Sequence, residues 1–322
     1  MMDFMFPYWA VKKDSDIVLY GEGNVGKDFF LQLYETKYCN VVAWVDKVFD
    51  GYELSKPFDY VSNIKNYNVD YIVLAVKDKK TADEISNELK LKCGVDGSKI
   101  IWSNYYNFSR DFFPSDRLLY LKDLDFYMSL LDEYMVAETF YATKEYYQSF
   151  EKLGIKGSRK NAERLVKYGI HEFLNKDDNV LDIGCNCGFF SMTVAPYVKK
   201  IIGVDVDENF INIANKAMAF AKIDNAEFYV KDVFADGLNG NYDAIFMLAL
   251  PANIGVYEKA NVIANHITQG GYLFLESHNM KGESEKYLFK KLIDTYIEKG
   301  LKNVCLYDNL GSQDRDFCVL RK

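Results

Sequence analysis

Three carboxylates close three successive apolar runs: Asp182 ends VLD, Asp205 ends IIGVD and Asp232 ends VKD. In open α/β sheets ligands bind outside the carboxyl ends of the strands, so these three acids are expected along one sheet edge. The run Val180–Phe190 reads VLDIGCNCGFF, and its Gly184 and Gly188 bracket a turn that opens a helix. Glycines there let backbone N–H groups come close to a ligand, and a helix amino terminus favours an anionic group. Asp205 lies 21 residues after Gly184 and suits a pair of hydrogen bonds to ribose hydroxyls. Asp232 suits an exocyclic adenine amine. A dinucleotide fingerprint wants G-x-G-x-x-G, whereas here only Gly184 and Gly188 are present, so an oxidoreductase reading of this half is weaker.

A second glycine turn, GEGNVGK, follows the run IVLY. Gly21, Gly23 and Gly26 form G-x-G-x-x-G between a strand and a helix, and Asp46 ends the next strand. The turn also scans as G-x-x-x-x-G-K, but Asp28 follows Lys27 where a P-loop needs a Ser or Thr hydroxyl for magnesium, so an ATPase is rejected. A third candidate group is Glu276-Ser277-His278-Asn279. Strand alternation puts Glu276 and His278 on one side. An imidazole with an unperturbed pKa of about 6.5 beside a carboxylate suits proton abstraction from a hydroxyl. Upstream, LGIKGSRKNAER carries Lys156, Arg159, Lys160 and Arg164, and the fork of Arg159 suits a phosphate or carboxylate. Tyr147, beside Tyr146, is a candidate to close over the site, and Asn253 to orient an acceptor.

These groups need elements to hold them. Short β-branched runs alternating with helical patterns occur twice, which predicts two α/β units. The first has strands at 17–20, 41–45, 71–76 and 99–102, with helices at 26–37 and 80–92. Near-continuous apolar runs suit parallel strands buried on both faces. The second has strands at 179–184, 200–206, 226–232, 242–250, 271–277, 303–308 and 316–321, with helices at 188–197, 208–222, 255–267 and 282–299. That order predicts a mostly parallel sheet with a terminal antiparallel hairpin. Between the units, Leu121, Leu124, Met128, Leu131 and Met135 repeat at three-four spacing and predict a linking helix, packed into a core or serving a homodimer. The expected domains are 1–113, a helical linker and lid at 114–159, and 160–322.

Val180–Gly188, Ile201–Asp205, Ala226–Asp232 and Tyr242–Pro251 together resemble, in order, the motifs of class I S-adenosylmethionine-dependent methyltransferases. The resemblance covers about 160–322. It implies S-adenosylmethionine as cofactor, with Gly184 and Gly188 shaping the methionine pocket and Asp182 near the methionine ammonium. It further implies Asp205 on the ribose, Asp232 on the adenine amine, and Val206 and Val233 against the adenine faces. Many amino-methylating relatives carry Asn/Asp-Pro-Pro-Tyr/Phe after the fourth strand. Ala249-Leu250-Pro251-Ala252 here departs from it and turns the expectation toward oxygen. Residues 15–105 resemble the small Rossmann-like domains of bacterial surface-polysaccharide and sugar-modifying proteins. That implies a nucleotide, nucleotide-sugar or NAD ligand, or a scaffold.

The resulting expectation is an O-methyltransferase acting on a sugar, a glycan precursor or another small polar metabolite. Its rivals are an RNA or protein methyltransferase, a nucleotide-sensing assembly module, and an NAD-dependent oxidoreductase in the amino-terminal unit. The last lacks a Ser-Tyr-Lys set after the glycine turn. A net charge of −8 disfavours non-specific nucleic-acid binding. Six scattered cysteines are expected to be reduced thiols, with no metal site, because Cys185-x-Cys187 lacks zinc-ligand spacing. No apolar run is long enough to span a bilayer, and MMDFMFPYWAVKKDSD has no basic leader or small-residue cleavage site. The expected location is the cytoplasm.

Overall fold

The computed structural model describes residues 4–8, 10–47, 58–102, 121–137, 146–250, 257–277, 283–307 and 315–322. The chain divides into two compact units, one ending at Asp132 and the other holding Tyr146–Lys322. The boundary therefore falls inside a helix, Leu124–Val136, rather than enclosing a separate linker domain.

The amino-terminal unit is a parallel sheet of five strands: β1 (Asp16–Tyr20), β2 (Asn40–Asp46), β3 (Phe58–Tyr60), β4 (Tyr71–Leu74) and β5 (Ile100–Ile101). Their order is β3-β2-β1-β4-β5, so the topology reverses beside β1. β3 was not expected from the sequence. α1 (Asn24–Thr36) and α2 (Lys79–Cys93) connect the strands, and Val18, Tyr20, Val45, Ile72, Ile85 and Leu89 share one core. The glycine turn lies at the end of β1. A Cβ on Gly26 would sit 1.9 Å from the Gly21 carbonyl oxygen, which also accepts from Trp44 Nε1 at 2.7 Å. The first turn of α1 is thereby drawn hard against the strand end.

The carboxy-terminal unit is built on β8 (Asn179–Ile183), β9 (Lys200–Asp205), β10 (Ala226–Val230), β11 (Tyr242–Leu248), β12 (Ile267–Glu276), β13 (Lys302–Tyr307) and β14 (Phe317–Arg321). The order is β10-β9-β8-β11-β12-β14-β13, with β14 antiparallel to both of its neighbours. The expected terminal hairpin is present, and its second strand is wedged between the first and the parallel body. Leu181, Ile245, Leu273, Cys318 and Leu320 supply one core face, on which Ile263, Phe289, Ile293 and Tyr296 pack from the helices α8 (Ala260–Asn265) and α9 (Glu283–Glu298).

The linking helix expected from the three-four spacing is present before this sheet. The described helix α3 is Leu124–Val136, and its buried residues include Leu124 and Leu131 of the expected stripe together with Tyr127, Leu130 and Tyr134. Tyr134 stacks edge-on with Tyr146 at 4.7 Å, so the tyrosines carry the packing. β6 (Tyr146–Gln148) and β7 (Gly157–Arg159) then form a small parallel pair, followed by α4 (Asn161–Lys167). The buried Asn161 closes the intervening arch, its Nδ2 donating to the Ser149 carbonyl at 2.7 Å and its N–H to Ser149 Oγ at 2.8 Å.

A Cβ on Gly157 would lie 2.2 Å from the Gln148 carbonyl carbon, which is backbone and cannot swing aside. Gly157→Ala is expected to destabilise the chain by about 1–3 kcal/mol through overpacking, read as a lower urea midpoint at unchanged slope.

Candidate functional site

A cleft of about 380 Å³ opens along the carboxyl edge of β8–β11. Its wall includes Gly184, Asn186, Asp205, Val206, Asp232, Val233, Leu248 and Ala249, with Tyr147 and Gln148 on the far side. That volume lies in the range of small-molecule and cofactor sites. The expected carboxylates Asp205 and Asp232 thus line one pocket, at the ends of neighbouring strands.

Asp205 is held from both sides. The Asn186 N–H donates to its Oδ2 at 2.8 Å and the Asp207 N–H to its Oδ1 at 3.1 Å. Burial pushes its carboxyl up, and these backbone donors pull against that. A carboxylate has about four lone-pair sites, so two remain for a vicinal diol. The amino-terminal unit repeats the device: the Glu22 N–H donates to Asp46 Oδ2 at 2.7 Å. Asp232 caps α7 (Val233–Asp236), its Oδ1 accepting from the Phe234 and Ala235 N–H groups at 2.9 and 3.1 Å. The cap fixes the carboxylate at the rim and leaves its other oxygen pointing elsewhere. Val233 is buried while Val206 is 67% exposed, so the two valines offer walls of different depth.

Asp182 and Gly188 do not line the cleft. Gly188 precedes α5 (Phe189–Val194), and its missing Cβ admits the Phe228 ring, 2.5 Å from where that atom would be. Its missing side chain packs the turn against Phe228 of β10 and Ala214 of the helix Glu208–Phe220. Asp182 is buried behind the turn and accepts from Ser191 Oγ at 2.5 Å. Burial pushes its carboxyl up to about 6; the Ser191 bond and the Arg164 charge oppose this. Burial also raises the Cys185 and Cys187 thiols, and all six cysteines are free.

Two residues of the wall were not expected from the sequence. Gln148 is buried, with Oε1 accepting from the Phe190 N–H at 3.1 Å and Nε2 donating to the Cys185 carbonyl at 3.4 Å, so it ties the arch to the glycine turn. Asn186 stands in a left-handed conformation, φ 54°, and its Oδ1 is buried with no partner among the described residues. The only sequence signal for either was a polar residue inside an apolar run.

The Glu276 expectation is corrected. Its side chain is fully buried at the end of β12, and both oxygens are engaged, Oε1 by Arg159 Nη2 and Oε2 by Arg164 Nη2. Glu276 thus ties the end of β12 to β7 and α4 as a buried ionic anchor, where a base was expected. Arg159, expected to hold an acceptor, spends part of its fork on that anchor. Burial opposes the Arg159 charge, yet Glu276 raises the guanidinium above its ordinary value. His278 and Asn253 lie outside the described residues.

A parallel sheet in this order, with a cleft across the strand ends and acids on adjacent strands, defines a nucleoside-binding α/β domain. Residues 174–310 match the family Methyltransf_31, a methyltransferase domain. The 23S rRNA (uracil(1939)-C(5))-methyltransferase RlmD of Haemophilus parainfluenzae is 40% identical over 63 residues, which are 19% of this chain and 14% of that protein. The U6 snRNA methylphosphate capping enzyme Amus of Drosophila melanogaster is 28% identical over 157 residues, 41% of this chain and 52% of that protein. Among solved structures, the N-methyltransferase NodS from Bradyrhizobium japonicum is 17% identical with a TM-score of 0.42, covering 50% of this chain and 94% of its own. This chain thus spans about half or less of the length of the curated relatives it matches. The stretch that matches the methyltransferase-domain family lies within the carboxy-terminal unit. Among the described residues no helix is long and apolar enough to cross a membrane.

Two outcomes follow from the buried charges. Glu276→Gln leaves two guanidiniums under-compensated and is expected to cost about 3–5 kcal/mol of stability, measured by chemical denaturation. Asp182 titrates at about 6 in the fold and near 3.9 in an unfolded chain. The fold therefore holds the extra proton between those values. The contribution is full below pH ~4 and is lost as pH rises through ~6. Asp182→Asn is expected to flatten that decline, worth about 3 kcal/mol, in urea titrations across this range.

Proposed function

We propose that the chain transfers the methyl group of S-adenosylmethionine to an oxygen of a small polar acceptor, such as a sugar or glycan precursor. The observation that carries this is the cleft wall, where Gly184, Asp205 and Asp232 follow one another along adjacent strand ends. In this reading Asp205 takes the ribose diol with its two remaining lone pairs. Asp232 takes the adenine amine with the oxygen that the cap leaves, and Val206 and Val233 flank the base. The unpartnered Asn186 Oδ1 fits the methionine ammonium, with Asp182 behind it. The cofactor, when bound, supplies an electrophilic methyl on a sulfonium. The chain's own part is to align the acceptor and exclude water, which Tyr147 and Gln148 do from the arch side.

The departure at Ala249–Ala252 supports oxygen over nitrogen as acceptor. Ala249 itself has φ 64°, a strained conformation for a residue with a Cβ, at the point where the acceptor would approach. The short RNA-methyltransferase similarities keep an RNA acceptor as the second reading. The net charge of −8 weighs against a long phosphate backbone as partner.

For the amino-terminal unit we propose a nucleotide-type ligand at Gly21–Gly26, bound without hydrolysis because Asp28 follows Lys27. Asp46 would contribute the oxygen lone pairs beyond its bond to the Glu22 N–H.

Calorimetry with S-adenosylhomocysteine tests the first assignment. Asp205→Ala is expected to weaken it by about 1–3 kcal/mol, from the lost diol partner. Unchanged affinity would remove Asp205 from the ribose. Titration of the full chain with NAD or a uridine-diphosphate sugar tests the second, with Asp46→Ala expected to abolish the heat. If neither ligand binds, the unit is a scaffold.

A further inference from the structure

Strand order places the methyl group. The cleft runs from Asp232 at β10, past Asp205 at β9 and Gly184 at β8, to Leu248 and Ala249 at β11. In the proposed reading adenine would lie by Asp232 and ribose by Asp205, with the sulfonium, which joins ribose to methionine, beyond them toward Gly184 and β11; β12 is the next strand. There Glu276 pairs in register with Leu248 of the cleft wall. Three guanidiniums gather around this strand end. Arg159 pairs in register with Gln148 of the wall. Arg164 lies over the Phe190 ring at 4.8 Å. Arg315 donates from Nη1 to the Ser277 carbonyl at 3.3 Å and stands 5.9 Å from the Tyr147 ring of the wall. The side chains of Arg159 and Arg164 are only 15% and 5% exposed.

This cluster is under-satisfied in two ways. Among the described residues, Glu276 is the one carboxylate ion-paired with these guanidiniums, and Asp182 lies near Arg164. In addition Arg159 Nε, Arg164 Nε and Arg315 Nε are all buried with no partner among the described residues. Buried guanidinium donors without acceptors are costly, and planar forks match the oxygens of a phosphate. At this end of the cleft the wall residues Leu248, Ala249 and Leu250 offer no base. An acceptor that is already anionic needs none.

We propose that the acceptor is an organic phosphate monoester, seated by Arg159, Arg164 and Arg315 and methylated on a phosphate oxygen; this rests on the methyltransferase reading of the adjoining cleft. A lone pair on the phosphate oxygen forms the O–CH₃ bond as the sulfur–methyl bond breaks. The sulfur keeps that bonding pair and leaves as the neutral thioether of S-adenosylhomocysteine. The phosphate dianion becomes a methyl phosphodiester monoanion, and no proton moves. Glu276 acts as a positioning residue, holding two forks at fixed spacing while leaving the cluster a net positive charge.

The test begins with the full chain saturated with S-adenosylhomocysteine and titrated with inorganic phosphate. Saturable binding is expected, weakened about ten- to a hundredfold in Arg315→Gln and in Arg159→Lys. Arg159→Lys keeps the charge opposite Glu276, so the fold is retained, and unchanged S-adenosylhomocysteine affinity verifies this for both variants. Labelled S-adenosylmethionine is then supplied with a hexose phosphate, a 5′-phosphorylated oligoribonucleotide and the unphosphorylated hexose. Label is expected in a product that resists a monoester phosphatase, from the sugar or from the RNA, which identifies the source of the phosphate. Phosphate that does not bind, or binds the variants as well as the wild type, overturns the proposal, as does label transferred to the unphosphorylated hexose. Failure to bind S-adenosylhomocysteine would instead overturn the methyltransferase reading itself.

Discussion

The carboxylate of Glu276, buried between Arg159 and Arg164, is the contact on which the carboxy-terminal unit's site depends. It fastens three separate pieces of chain: the end of β12, the small strand β7 and the helix α4. With the Gln148 contacts to the glycine turn, it helps hold the arch carrying Tyr147 and Gln148 beside the cleft. Burying one carboxylate with two guanidiniums is expensive, since desolvation of each ion is repaid only by close geometry and further hydrogen bonds. Hydrophobic side chains of the same volume would stabilise the strand end at least as well. The choice of an ionic anchor is therefore better explained by the site beside it than by stability.

Around that anchor the same logic recurs at smaller scale. Gln148 bridges the arch to the glycine turn, Asn186 bridges the turn to β9 through Asp205, and Asp232 fixes the rim by capping a one-turn helix. Each polar side chain spends part of its capacity on the backbone and presents the rest to the cleft. Preorganisation of this kind means that little must rearrange when a ligand arrives. Asp182 is the deepest member, and its raised proton affinity marks it as the group most sensitive to what cation comes near.

The two units share a construction principle without sharing a role. In both, a glycine turn ends the first strand, and a backbone N–H from the turn donates to the carboxylate that ends the second: Glu22 to Asp46, and Asn186 to Asp205. The bond needs only a parallel neighbour strand and a tight turn, so it is a property of the α/β architecture. It positions an acid at the switch point whether or not a ligand is used there.

The sequence by itself determined the alternation of strands and helices, the mostly parallel character of the second sheet with its closing hairpin, and the acids at the strand ends. These are legible because they rest on local periodicity and on residues a few positions apart. Tertiary structure alone decided that Gly188 makes room for the Phe228 ring, and that Tyr127 and Tyr134 join Leu124 and Leu131 on the buried face of α3. It also decided that Glu276 anchors rather than abstracts. The physical reason is the same in each case. Arg159 and Arg164 lie more than a hundred residues from Glu276, and Arg315 approaches from a different segment again. A carboxylate's chemistry is set by the charges and donors that surround it. Those neighbours come from β7, the helix α4 and the segment before β14 folding around the end of β12, which no local spacing encodes.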